Sequence, residues 1–225
     1  DWKKETLLHR CCDAKNIDID TIHLLLEKKA DINAKNKYDK TPLVLLLENT
    51  KHSLSCFELA ALIDTFIENG VDAKETFKYC KDNSWKNDAP LALMYYFGIG
   101  TEKNYKAAFY HANYAYNYRY KNHRNPYLLS LLGCMYLYGL GTRKNYKKAY
   151  GFFNQLANQD ESPCSVSQYN LAHMYRTGKR VAKNHQTAFE WYLKAFNNGA
   201  LYLIDYKSEI KEMADDEIFL NFLFT

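Results

Sequence analysis

The sequence predicts an all-α fold, an α/α superhelical solenoid of stacked helix pairs, and three observations carry that expectation. Residues 95–109 (YYFGIGTEKNYKAAF), 136–150 (YLYGLGTRKNYKKAY) and 175–189 (YRTGKRVAKNHQTAF) repeat one string at spacings of 41 and 39 residues. Self-similarity at a period of about forty residues marks a stacked repeat protein. Around each copy, apolar side chains recur at three- and four-residue intervals, the period of a helix. A Gly pair and a fixed Asn within the string act as helix stop and helix start.

The bulk composition is that of a folded chain. Hydrophobic residues make up 47% and charged residues 25% of the 225, which is ordinary for a globular protein. Tyr and Phe are abundant, at 20 and 12, and with the plentiful Asn and Lys they fit an AT-rich coding bias. The formal charge of +4 is small and no long basic run occurs, which argues against a dedicated electrostatic site for nucleic acid. Every apolar stretch is interrupted before it could span a bilayer. The six Cys (11, 12, 56, 80, 134 and 164) are irregularly spaced, with no CxxC and no His grouped for zinc. They are expected to be small buried hydrophobes in a reducing compartment.

Residues 1–87 are expected to form one block. Thr6 to His9 (TLLH) precedes Thr21 to Asn36 (TIHLLLEKKADINAKN), and Thr41 to Val44 (TPLV) precedes Phe57 to Lys74 (FELAALIDTFIENGVDAK). Thr41 is placed to cap a helix whose first residue is Pro42, where the missing amide proton costs nothing. Ile22, Leu24, Leu25 and Leu26 supply the apolar face of a second helix. These strings resemble ankyrin repeats, with a TPLH-like opening and an LLxxGAxxN-like close. His9 takes the ankyrin histidine's place, and Lys29 stands where that family has Gly. A left-handed Lys29 would cost about 1 kcal/mol. Two such units are marginal alone, so residues 75–87 are expected to form a junction to the next block, filled by Phe77 or Trp85.

Residues 88–200 hold the three copies. Each opens with an apolar helix in which Leu91, Ala92 and Tyr95, Leu132, Gly133 and Tyr136, or Leu171, Ala172 and Tyr175 recur. Asn104, Asn145 and Asn184 then precede a second helix as N-caps, each contributing about 1 kcal/mol. The pattern resembles the Sel-like repeat family, relatives of tetratricopeptide repeats, most specifically at LGCMYLYGLG in the middle copy. The family's Asp before the second helix is Asn in all three copies, and its Trp position is His111, Phe152 and Trp191. Arg180 replaces the second turn Gly of the third copy, so that turn is expected to be reshaped. Residues 201–225 read as a terminal capping helix. Its apolar end, Phe219, Leu220, Phe222, Leu223 and Phe224, either closes the core or leads into further chain.

Several sharper motifs fail on context. Gly98-Ile99-Gly100 and Gly139-Leu140-Gly141 follow helices rather than strands and lack the residues of a phosphate cradle. The seven His form no catalytic or metal-binding spacing with Ser, Cys or Asp. Tyr116 to Asn125 (YNYRYKNHRN) interleaves rings with Arg119, Lys121 and Arg124, as single-stranded nucleic-acid binders do, yet a solvated link between helices explains it equally. No catalytic residue, metal or cofactor is expected.

The tetratricopeptide relationship implies that the first helix of each pair lines a concave groove. Aligned on Leu-Gly, the groove residues are Leu93, Tyr96 and Phe97, then Ser130, Cys134, Leu137 and Tyr138, then Tyr169, His173, Arg176 and Thr177. Such a surface suits a protein or peptide partner, with nucleic acid and membrane disfavoured and a monomer the expected state. The expected function is non-catalytic protein binding through this groove or through the turns at Asn33 to Lys40. Chains combining the two repeat types often act as adaptors, and in intracellular bacteria as secreted effectors, which would place this one in a cytoplasm or the host cytosol. The alternative is a scaffold segment of a larger enzyme whose catalytic domain lies outside residues 1–225.

Overall fold

The computed structural model describes residues 5–15, 17–49, 54, 56–83, 87–119, 125–159 and 163–198. Among them every regular element is helical, and two compact units divide the chain at Lys144 and Asn145. The expected terminal helix, Trp85 and Tyr120 to Arg124 fall outside the described residues.

The first unit opens with α1 (Leu7–Cys12), α2 (Ile19–Glu27), α3 (Pro42–Glu48) and α4 (Cys56–Glu68). Thr6 and His9 form a reciprocal capping box at the start of α1. The Thr6 amide donates to His9 Nδ1 at 3.2 Å, so the ring's proton sits on Nε2 and is donated to the Lys40 carbonyl at 3.0 Å. His9 is fully buried; it therefore ties the first helix to the turn before the third. Thr41 caps α3 with Pro42 in its first turn. The Asn49 side chain closes the other end by donating to the carbonyls of Cys12 and Ala14. Lys29 takes φ 57°, left-handed as the missing Gly implied, and Gly70 takes φ 87° at the corresponding end of α4. Asn33 joins the two turns: it donates to the Gly70 carbonyl at 3.1 Å and accepts from the Asp72 amide at 3.0 Å.

The stretch expected to form the junction begins with a helix, α5 (Ala73–Asp82), capped by Asp72. It leads into α6 (Asp88–Phe97), α7 (Tyr105–Tyr114), a π-helical turn over Ala115–Arg119, and α8 (Pro126–Tyr138). The second unit holds α9 (Tyr146–Ala157), α10 (Ser165–Thr177) and α11 (His185–Asn197), with α10 packed against both of the others. Asn104, Asn145 and Asn184 each accept from the third amide of the following helix at 3.0 Å. These are the N-caps expected of them. Gly98, Gly139 and Gly178 end the preceding helices in the left-handed conformation, which satisfies the last carbonyls of the helix.

The second glycine of each turn does something different. A Cβ built on Gly100 would lie 2.0 Å from the Ala73 carbonyl oxygen, and one on Gly141 would lie 1.9 Å from that of Tyr105. Both targets are the first residue of a preceding helix, α5 and α7, so the turn of one pair rests on the backbone of the pair before it. An edge-on aromatic pair completes the contact. Phe77 meets Tyr95 at 5.3 Å, and Phe109 meets Tyr136 at 5.4 Å, a favoured quadrupole geometry. In the second unit Tyr150 meets Tyr175 in the same way at 6.5 Å. Helix α5 thus stands to α6 as α7 stands to α8, and its opening DAKETF matches NYKAAF in cap, small buried residue and aromatic: Thr76 is 2% exposed where Ala108 is 0%.

Arg180 corrects one expectation. It keeps the left-handed φ of 73° that Gly100 and Gly141 adopt, at 66° and 69°, so the turn is retained at the cost of backbone strain rather than reshaped. Replacing Arg180 by Gly is expected to stabilise the protein by about 1 kcal/mol. Gly141→Ala should cost roughly 3 kcal/mol, because it meets both strain and a backbone clash. Gly70→Ala, with nothing within 4 Å, should cost only the strain, about 1 kcal/mol. Equilibrium urea denaturation of the three variants checks the order.

Candidate protein-binding surfaces

The expected groove residues separate by burial. Leu93 on α6 and Ser130, Cys134 and Leu137 on α8 are buried, and so are not available to a partner. Helix α8 is buried along its length from Tyr127 to Leu137 because it packs against both α4 and α7. The Tyr127 hydroxyl further donates to the Leu47 carbonyl at 3.4 Å. That cover comes in part from the first 87 residues, whose α4 lies against α8. Tyr96, Phe97, Tyr169, His173 and Arg176 are half-buried, and Tyr138 and Thr177 are exposed.

In the first unit the accessible aromatics gather at the C-terminal end of α6. Tyr96 meets Phe97 edge-on at 4.8 Å and Tyr105 of α7 at 5.4 Å. Tyr105, an exposed ring that the alignment did not select, also lines a cavity of about 610 Å³ with Lys103, Lys106, Gly139, Gly141 and Arg143. Tyr138 is 46% exposed at the end of α8. A second cavity of about 620 Å³ lies beside the 33–40 turn, bordered by Lys35, Asp39, Glu75, Lys78 and Tyr79. Its charges are compensated: Lys35 bonds Glu75 at 2.5 Å, and the neighbouring Lys40 pairs with Glu48.

In the second unit Tyr169, His173, Arg176 and Thr177 follow one another along α10. Tyr169 leans on Tyr192 of α11 at 5.3 Å, against a core of Ala172, Ala188 and Tyr192. His173 sits between two cations, with Arg176 Nη2 3.5 Å from Nδ1 and Lys179 Nζ 3.2 Å from Nε2. Lys179 also stands over the Tyr146 ring at 6.0 Å.

These surfaces belong to a recognisable repeat. A family model described as Sel1 repeat matches residues 91–117, 127–161 and 165–199. The chain carries three Sel1 repeats. The matched segments take in α6 to α11, and Sel1 repeats generally mediate protein–protein interaction as non-catalytic scaffolds. Six solved chains match in structure. One is the crystal structure of a Sel1 repeat protein from Oxalobacter formigenes, at a TM-score of 0.51 and 20% identity over 81% of this chain and 70% of that one. At that identity the likeness shows the helical-repeat fold. No curated protein matches the sequence.

The Sel1 helices also hold chemistry that belongs to packing rather than to recognition. His111, at the family's Trp position, bonds the buried Asp88 carboxylate at 2.9 Å, and Tyr95 stacks on its ring at 5.7 Å. No helix among the described residues is long and apolar enough to cross a membrane, and no group of three His, Cys, Asp or Glu among them could hold a metal. Cys11, Cys12, Cys80, Cys134 and Cys164 are free thiols, and all but Cys11 are buried. Burial pushes the Cys80 thiol up to about 12. Of the YNYRYKNHRN string, Tyr118 is 74% exposed on the π-helical turn, while residues 120–124 lie outside the described set.

Asp88→Ala removes the partner of a largely buried imidazole and is expected to cost about 2 kcal/mol. Urea denaturation would show the loss, and Tyr138-dependent partner capture should survive it.

Proposed function

We propose that the chain is a protein-binding adaptor whose contact surface is formed by the aromatic side chains at the ends of the first helices of the Sel1 repeats. The observation that supports this most is the aromatic set Tyr96, Phe97 and Tyr105, packed edge to edge yet incompletely covered, together with Tyr138 beyond it. Large rings held rigidly at a surface lose little entropy on binding and dominate interface energetics. Four of the groove residues first expected are core, so the contact surface is narrower: Tyr96, Phe97 and Tyr138 in the first unit, and Tyr169, His173, Arg176 and Thr177 in the second. Residues 1–87 serve as an ankyrin-type front block whose 33–40 turn offers a further contact. In a bacterium living inside host cells, the same module would act as a secreted effector in the host cytosol.

The test is affinity capture from cell lysate with quantitative mass spectrometry. The wild-type chain should enrich a small set of proteins, and Tyr96→Ala and Tyr138→Ala should each reduce that enrichment about tenfold or more, as anchor residues do. Equal capture by wild type and both variants would overturn the proposal.

A further inference from the structure

Within the first unit, the turn of one helix pair rests on the first residue of an earlier helix in two places, and the two places carry opposite charge. Where Gly100 lies on α5, the residues around the contact are Asp72, Lys74, Glu75 and Glu102, one cation among three carboxylates. Where Gly141 lies on α7, the same positions hold Asn104, Lys106, Ala107 and Arg143, and Lys103 stands where the first contact has Val71. The backbone approach is alike in both, so packing sets no sign of charge there. At the first contact Glu75 is taken up by Lys35. At the second, Lys103, Lys106 and Arg143 are exposed and pair with no carboxylate among the described residues. Few are within reach in sequence: residues 101–199 carry four Asp and Glu against 14 Lys and Arg, whereas residues 1–100 carry 16 against 14.

The three cations line the cavity of about 610 Å³ together with Asn104, Tyr105 and Thr142. Each of these six side chains carries a hydrogen-bond donor. Asn104 spends its carbonyl oxygen on the Ala107 amide, as the cap of α7, which leaves its amide protons. No carboxylate lines the cavity, and Glu102, though adjacent in sequence, is not among the lining residues. A partner's carboxylate, with one charge and two oxygens, uses only part of such a lining. A phosphomonoester brings three terminal oxygens and about one and a half to two negative charges, and an Arg side chain takes it through parallel N–H donors. The cavity is also continuous with the aromatic set, because Tyr105 both lines it and meets Tyr96 edge-on at 5.4 Å.

We infer that the cavity between the start of α7 and the turn after α8 binds a phosphorylated serine or threonine of the protein partner. The phosphate sits on Lys103, Lys106 and Arg143, and apolar side chains next to it in the partner meet Tyr96 and Phe97. All three cations are exposed, so a short phosphorylated side chain reaches them. The inference rests on the protein-binding reading above and supplies the chemistry of the partner. A nucleic-acid backbone fits less well, since each of its phosphates carries one charge.

Fluorescence anisotropy with the full chain tests it. The probes are a fluorescein-labelled leucine-flanked peptide with phosphoserine at its centre, the same peptide with Ser or Asp there, and a U-rich single-stranded RNA. The phosphoserine peptide should bind at least about tenfold more tightly than the Ser peptide and about threefold more tightly than the Asp peptide. Unlabelled phosphopeptide should displace it at concentrations at least about tenfold below those of inorganic phosphate. Arg143→Glu gives the second turn the residue of the first, and Lys106→Gln gives α7 the residue that α11 has at Gln186. They should weaken phosphopeptide binding about tenfold and about threefold, with unchanged circular dichroism. Should Arg143→Glu disturb folding, Arg143→Ala, after Ala182 of the third copy, carries that arm with a loss of about fivefold. Equal binding of the Ser or Asp peptide, tighter binding of the RNA, displacement by inorganic phosphate as readily as by phosphopeptide, or indifference to the Arg143 change would overturn the inference. Tyr138-dependent capture from lysate that is unchanged by phosphatase treatment and by Arg143→Glu would also overturn it, while leaving the protein-binding reading standing.

Discussion

The structure depends on a close approach of backbone to backbone. Where the second glycine of a turn rests on the first residue of the preceding helix, there is no room for even one side-chain carbon: about 2 Å separates the Cβ site from a carbonyl oxygen at both Gly100 and Gly141. That approach fixes how far a helix pair stands from its predecessor. The edge-on ring pair one turn further along, Phe77 with Tyr95 or Phe109 with Tyr136, then fixes its rotation, because such rings tolerate few relative orientations. The small residues Thr76 and Ala108, buried at the fifth place from the cap, keep the helices close enough for both contacts. Neither glycine can be understood from its own turn alone.

This explains what could be read from the sequence and what could not. Helix caps and left-handed positions follow local rules, so Thr41, Asn104, Asn145, Asn184 and even the strained Lys29 were legible residue by residue. Helix α5 was not, since its similarity to the repeats resides in a short string, DAKETF, with Asp for Asn and Thr for Ala and no apolar first helix to announce it. Only the contact with Gly100 reveals its role. The burial of Ser130, Cys134 and Leu137 could not be decided from the repeat strings alone, because it is imposed by α4, a helix about seventy residues earlier in the chain. Arg180 shows the converse. Local rules call for glycine there, but the chain keeps the left-handed conformation despite the side chain.

Electrostatics follows a similar logic. A net charge of +4 invites the conclusion that charge matters little, yet it is the sum of an acidic excess and a basic one that occupy different parts of the chain. Compensated pairs such as Lys40 with Glu48 hold turns against helices and are used up in doing so. The cations of the repeats include Lys106, Lys147 and Lys148 in the first turns of α7 and α9. At helix starts such charges weaken the fold slightly, and around His173 the side chains of Arg176 and Lys179 approach the two ring nitrogens.

Position within the repeat separates the tyrosines. Tyr95, Tyr136 and Tyr175 are bound into the ring pairs that repeat from helix to helix, and changing one alters the stack. Tyr96 and Tyr138 stand one and two places beyond them, where the same helices end. The periodic constraint thus determines which aromatic positions are occupied by packing, and it leaves Tyr96 half-buried and Tyr138 exposed.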